Sequence, residues 1–255
     1  MSVFYDWKVW HGGSEKEIDL WKKELERPAG PLDEIGRRYN CDKGNVQYMS
    51  HHWKNVPSGW PQDLDLAITG HNYLEEYEKY FSEVRHKPIK ILEIGIGNYP
   101  TNARSLMMWL DYFSCAEIHL VDINDRNFVV PDQVDLSRVH FHLLDQSNEA
   151  QLTEFAAIHK EKFDFIIDDG SHVGWHQILT LRCLFDSCLK QGGVYFIEDI
   201  HDRNFCDAAH ELVASVNAGN NLETFSYGEA SLKTVSSVKF LRSLVVLEKG
   251  EKRTR

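Results

Sequence analysis

The sequence predicts an α/β protein: a doubly wound, mostly parallel sheet closed by an antiparallel strand pair, behind a helical N-terminal extension. Three observations predict it. From Pro88 onward, short apolar or β-branched runs alternate with longer amphipathic stretches, the pattern of a parallel sheet with helices on both faces. Two of those runs stop abruptly in carboxylates, Asp168-Asp169-Gly170-Ser171-His172 and Glu198-Asp199-Ile200-His201, as buried parallel strands do where open sheets keep their chemistry. The chain has 255 residues and is 42% hydrophobic, enough to bury a full core.

In chain order, residues 1–87 form the helical or lid-like N-terminal segment, rich in Trp, His and charge. A helix is expected over 15–27, stopped by Pro28 and Gly30-Pro31. A loop holding Pro57, Gly59 and Pro61 follows, then a helix over 71–84 with Tyr73, Tyr77, Tyr80 and Phe81 at helical spacing. That aromatic stripe reads as core packing rather than a stacking platform. His51, His52, Trp53 and Trp60 suit either an acceptor pocket or surface packing. The core runs over 88–250, with strands expected at 89–94, 117–121, 138–143, 163–167 and 194–197. Helices are expected at 103–112, 149–160, 176–189 and 205–216, and the closing pair at 235–240 and 244–247. Residues 251–255 are a tail, with fraying expected from Lys249 onward.

Composition excludes several classes. A formal net charge of −11 argues against a nucleic-acid-binding surface. No stretch approaches the roughly 20 apolar residues that cross a bilayer, so no membrane partner is expected. The N-terminus lacks a basic region followed by an apolar run, so no secretory signal is expected. Five cysteines (41, 115, 183, 188 and 206) form no CxxC pair, which suits a reducing, cytoplasmic setting. Cys183 and Cys188 read as small buried hydrophobes of a helix.

The strand ends carry the chemistry. Asp168, Asp169, Glu198 and Asp199 would repel one another on adjacent strands unless a cation or protonation relieved them. The first strand runs into Glu93-Ile94-Gly95-Ile96-Gly97, where glycines two apart let the backbone pass close to a ligand. Pro100 stands where a dinucleotide fingerprint needs a third glycine, so a ligand without a pyrophosphate fits better. Glu93 can accept from an ammonium group. Asp122, ending the second strand, offers a carboxylate to the paired hydroxyls of a ribose. Asp145-Gln146-Ser147, after the third, sets acceptors and donors where an adenine edge can lie. In register, these signals predict an adenosyl-amino-acid ligand held by Glu93, Gly95, Gly97, Asp122, Asp145 and Gln146.

These motifs, with Tyr39-Asn40-Cys41-Asp42-Lys43-Gly44, the segment 105–113 and Gly192-Gly193-Val194-Tyr195, resemble the class I, Rossmann-like S-adenosylmethionine-dependent methyltransferases. Over residues 35–205 the chain is most similar to metal-dependent sugar O-methyltransferases of macrolide and other natural-product pathways. The resemblance implies that Asp169, Glu198 and Asp199 ligate Mg²⁺, with Mn²⁺ also accommodated, and that His172 is the general base. It implies a small-molecule sugar acceptor and is compatible with a homo-oligomer. Cys41 departs from the family's usual Thr before Asp-Lys-Gly, and the short N-terminal region implies that the auxiliary domain of some larger relatives is missing. The chemistry is coherent. The donor's sulfonium makes its methyl electrophilic, a hard cation acidifies a sugar hydroxyl, and an imidazole accepts the proton near neutral pH.

Several readings compete with these. Asp169 can simply cap the following helix, Glu198-Asp199 can be a solvated strand end, and His172 can orient rather than abstract. Asp168 reads as local scaffolding, and His201 as a group beside the metal shell or substrate. For the whole chain the alternatives are methyl transfer to a non-sugar acceptor such as a diol, or a non-catalytic S-adenosylmethionine-binding protein.

Overall fold

The computed structural model describes residues 3–4, 30–39, 41–44, 46–49, 66–69, 71–97, 103–124, 134–206, 209, 212, 216, 232 and 234–250. The expected helix at 15–27, the loop around Pro57, the residues His51, His52, Trp53 and Trp60, Pro100 and the tail 251–255 lie outside them. The chain divides into two compact units, residues 1–86 with 104–114, and residues 87–103 with 115–255.

The first unit combines helices with a small sheet. Helix α1 (Pro31–Tyr39) opens on a proline, whose missing N–H costs nothing in a first turn, and sets acidic residues first and Arg37 and Arg38 last, along its dipole. Strand β1 (Val3–Phe4) pairs in parallel with β3 (Leu66–Thr69), and β2 (Val46–Met49) pairs with β3 in antiparallel fashion. Helix α2 (Leu74–Phe81) starts three residues later than expected, since Asn72 sits at φ +60, and runs into a 3₁₀ turn at Ser82–Val84. Tyr77 and Phe81 are fully buried, stack at 5.3 Å, and meet Trp109 of α3 (Arg104–Tyr112) edge-on. Tyr73 is buried as well and Tyr80 half-buried, so most of the aromatic stripe is core. Glu78 joins three helices, accepting from the Leu32 amide and, at 2.8 Å, from the Tyr112 hydroxyl.

The second unit holds the seven-stranded sheet, in the order β6-β5-β4-β7-β8-β10-β9. Its strands are β4 (Lys90–Ile94), β5 (Glu117–Asp122), β6 (Val139–Leu143), β7 (Phe163–Asp168), β8 (Leu189–Ile197), β9 (Val235–Leu241) and β10 (Leu244–Lys249). The pairings from β6 to β8 are parallel; β10 runs antiparallel to both β8 and β9. Near-continuous apolar runs in β4, β5 and β7 are what burial on both faces demands. Helix α4 (Glu149–Ile158) is capped by Asn148, whose side chain accepts from the amides of Ala150 and Gln151. Helix α5 (Gly174–Cys188) contributes Ile178, Leu181, Leu184, Phe185 and Cys188 to one core cluster with Phe163, Ile166, Tyr195 and Ile197.

Two expectations change. Strand β8 begins five residues before the expected Val194, because Gly192 adopts φ +75 and Gly193 passes too close to the Asp164 carbonyl for a side chain, 2.8 Å from where a Cβ would lie. Lys249, expected in a frayed tail, ends β10 and is buried: its ammonium donates to the carbonyls of Asp186 and Leu189 at the C-terminal end of α5, where a cation meets the negative end of the dipole. Helical residues follow β8 at 203–206, 209, 212 and 216.

Candidate active site

Register brings the carboxylates to one edge. Ile94, Asp168 and Ile197 stand side by side on β4, β7 and β8. Gly95, Asp169 and Glu198, one residue on, therefore leave the sheet together, and the ladder follows them: the Asp169 amide donates to the Ile94 carbonyl and the Glu198 amide to that of Asp168, both at 2.9 Å. Between β4 and β7 the strand order reverses, the place where open α/β sheets form a crevice at their C-terminal ends.

Neighbouring side chains along extended chain point to opposite faces, and this separates Asp168, the last residue of β7, from Asp169 just after it. Asp168 is fully buried, accepting from Gln146 Nε2 at 2.6 Å and Thr180 Oγ1 at 2.7 Å. Burial pushes its carboxyl up to about 7, against the pull of the Thr180 and Gln146 donors. Gln146 turns its other end to the following loop, its Oε1 accepting from the Ser171 amide at 2.9 Å. A Cβ on Gly170 would lie 2.3 Å from that oxygen, so the loop lies flush on the amide. Asp168, Gln146 and Thr180 thus hold the Asp169-to-His172 turn in place.

Three ligand atoms converge there. One from each of Asp169, His172 and Asp199 lie within 4.8 Å of one another. His172 Nδ1 is 3.8 Å from Asp199 Oδ2, and His201 Nε2 is 3.8 Å from Asp199 Oδ1. His172 Nδ1 is buried and accepts or donates no hydrogen bond. Both His172 and Asp199 sit in the left-handed region, at φ +56 and +52, a conformation costing non-glycine residues about 1–3 kcal/mol and concentrated at functional sites. Glu198 stands at the strand end but outside this trio; it is buried, and its carbonyl accepts from Gln177 Nε2 at 2.8 Å.

The expected cofactor residues lie along the same edge. Gly95 and Gly97 take φ +91 and +84. A Cβ on Gly95 would fall 2.1 Å from the Asp169 carbonyl oxygen, so this glycine makes room for the neighbouring strand end. Asp122 braces the glycine loop, accepting from the Ile96 amide at 3.1 Å and the Asn124 amide at 2.9 Å. Glu93 is buried inside β4, level with Leu120 and Ile167. Asp145 accepts from the Ser147 amide and hydroxyl, which hold its carboxyl below the usual range. The sequence reading overlooked Asp202, Gln177 and Thr180. Asp202 accepts from the Gly174 amide at the start of α5 and from the Asn204 amide, tying the loop after Asp199 to the helix after His172. Gln177 and Thr180 were legible as polar residues three apart on an otherwise apolar helix face, both fully buried.

No family model matches the chain. Its sequence is 37% identical over 188 residues to an 8-demethyl-8-(2-methoxy-alpha-L-rhamnosyl)-tetracenomycin-C 3'-O-methyltransferase of Streptomyces olivaceus, covering 72% of this chain and 40% of that protein. It is 35% identical over 133 residues to a demethylmacrocin O-methyltransferase of Streptomyces fradiae, covering 51% and 32%. The chain thus spans well under half the length of these curated relatives. Among solved structures it is similar to the MycE methyltransferase of the mycinamycin biosynthetic pathway, solved with Mg and SAH, at a TM-score of 0.64 and 21% identity over 89% of this chain and 55% of that one. At that identity the likeness shows the fold. In fold the chain is thus similar to the MycE methyltransferase, and over part of its length its sequence is similar to sugar O-methyltransferases of Streptomyces.

Proposed function

We propose that the chain carries out Mg²⁺-dependent methyl transfer from S-adenosylmethionine to a hydroxyl of a small-molecule sugar, free, nucleotide-linked or attached to a natural product. The observation that carries this reading is the meeting of Asp169, His172 and Asp199 at the strand ends, beside the glycine loop of β4. The site residues fit the groups they would hold. Two or three carboxylates match the few protein oxygens that Mg²⁺ takes before its remaining positions go to water or substrate. His172 Nδ1, buried and not hydrogen-bonded, keeps a nitrogen uncommitted beside them.

In this reading Asp169 and Asp199 are the metal ligands, with Glu198 at the same strand end, and the site also accommodates Mn²⁺. Gly95, Gly97, Glu93, Asp122 and Asp145 belong to the methyl-donor side. When bound, the donor supplies an electrophilic methyl on sulfur and the cation acidifies a chelated hydroxyl. His172 takes the hydroxyl proton. Asp199, 3.8 Å from its ring, steadies the imidazolium that results. His201, its Nε2 3.8 Å from Asp199 Oδ1, is exposed. Asp168 and Gln146 hold the turn that aims His172, contributing orientation rather than chemistry. The net charge of −11 leaves nucleic acid an unsuitable acceptor. No helix among the described residues is long and apolar enough to cross a membrane, and the unpaired cysteines suit the cytoplasm.

The test is methyl transfer from isotopically labelled S-adenosylmethionine to a panel of glycosylated natural products and nucleotide sugars, read by mass spectrometry. Turnover is expected to vanish with chelator and to return with Mg²⁺. His172→Ala is expected to bind the donor as wild type does while losing about 10²–10⁴-fold in turnover. Chelator-resistant turnover would sink the metal's role, and wild-type rates in the variant would remove His172 as the base.

A further inference from the structure

Farther back along the strands, with Glu117 about 16 Å and His119 about 10 Å from the C-terminal edge by strand rise, β5 and β6 build a second cluster. Glu117 and His119 alternate along β5, and His140 and His142 along β6. Period-two geometry puts all four on one face, with His119 directly opposite His140. His119 stacks on His140 and His142, at centroid distances of 4.5 and 5.3 Å, and meets Phe163 edge-on. His119 is 2% exposed, yet its Nε2 makes no hydrogen bond. That nitrogen points toward Glu117 Oε2, 3.8 Å away, and His140 Nε2 approaches the same oxygen at 3.9 Å.

From this geometry we infer a second metal site, in which Glu117, His119 and His140 bind a transition-metal dication of the Zn²⁺ class. One ligand atom from each lies within 4.8 Å of the others. Zinc bonds of 2.0–2.1 Å place tetrahedral ligands about 3.4 Å apart, so each histidine nitrogen, now 3.8 or 3.9 Å from Glu117 Oε2, has about half an ångström to close on that oxygen. The site also has the outer partner that a ligating histidine needs. His119 Nδ1 lies 2.9 Å from His142 Nε2; with Nδ1 donating there, Nε2 keeps its lone pair for the metal.

The surroundings select the ion. Lys90 already donates to Glu117 Oε2 at 2.7 Å, and Lys162 lies 3.2 Å from His159 beside the cluster. Two ammonium groups disfavour a hard dication with no gain from imidazole, such as Mg²⁺, and leave ions that imidazole binds strongly. Three protein ligands leave a fourth position, which opens to solvent on the His140 side, where that side chain is 45% exposed. The ion would clamp the edge strand β6 to β5. This site is separate from the methyl-transfer reading and stands or falls without it.

The test uses full-length Asp169→Asn/Asp199→Asn protein, which removes the carboxylate centre, in excess Mg²⁺. Calorimetry with Zn²⁺ is expected to give one equivalent, and Co²⁺ to give the intense visible absorption of a tetrahedral site. Glu117→Gln and His140→Ala, both partly exposed positions that the fold tolerates, are expected to abolish both signals. His142→Gln is expected to weaken Zn²⁺ about 10–100-fold, as loss of an outer partner does. No Zn²⁺ uptake in the parent, or uptake unchanged in both ligand variants, would overturn the site.

Discussion

The adjacent aspartates Asp168 and Asp169, at and just past the end of β7, do different work, and the difference lies in what each touches. Asp168 faces inward and is saturated by Gln146 and Thr180, whereas Asp169 leaves the sheet toward His172 and Asp199. Replacing Asp168 with Ala takes from two buried donors their shared acceptor, leaving Gln146 Nε2 only Thr180 Oγ1 and Thr180 the His176 carbonyl, at a cost of about 1–3 kcal/mol for each bond lost. Asp168→Ala is therefore expected to lower the urea midpoint at unchanged slope by an amount matching roughly 2–4 kcal/mol. An unshifted midpoint would mean that the network does not support the fold. The sequence made the acidic pair conspicuous and singled out Asp168 as scaffolding, because a strand's last inward residue is the one it buries. It could not reveal that Gln146, expected on the cofactor side, spends its amide on Asp168, Thr180 and Ser171. That depends on a contact across 22 residues of chain.

Among elements, the glycine loop after β4 fixes the site most tightly. Gly95 combines φ +91 with the Asp169 carbonyl oxygen 2.1 Å from where a Cβ would lie. Backbone on the neighbouring strand end cannot give way as a side-chain tip can. Gly95→Ala is expected to push that end aside, costing about 1–3 kcal/mol from the left-handed conformation alone. It is also expected to weaken donor binding measured by calorimetry; donor affinity equal to wild type would show that the two strand ends move independently. The long parallel strands were legible because burial on both faces writes itself as an apolar run. The three-stranded sheet of the N-terminal unit was not, since four-residue strands such as β2 and β3 carry too few alternations to stand out from a loop. The histidines of β5 and β6 alternate as plainly as any strand, but their meaning emerges only once the register sets His119 against His140.

For the molecule as a whole, the strand order sets the division of labour. The reversal between β4 and β7 separates the glycine-loop side from the carboxylate side and opens the crevice between them. The cysteines report on how tightly each unit, taken by itself, is packed. Cys41 and Cys188 are buried, and burial pushes the Cys188 thiol up to about 12, whereas Cys115 and Cys206 are exposed. A thiol reagent at neutral pH is expected to label Cys115 and Cys206 promptly and to reach Cys41 and Cys188 only on unfolding. Prompt labelling of Cys188 would mean that the core around α5 opens in the native state.

The central claim is that Asp169 and Asp199 hold a catalytic dication next to His172. Its most direct measurement is Mn²⁺ binding followed by electron paramagnetic resonance, with S-adenosylhomocysteine present, in the wild type and in Asp169→Asn/Asp199→Asn. The wild type is expected to bind Mn²⁺ in a site that Mg²⁺ competes for, and the double variant to lose that site. Equal, Mg²⁺-competable binding in both proteins would contradict the account.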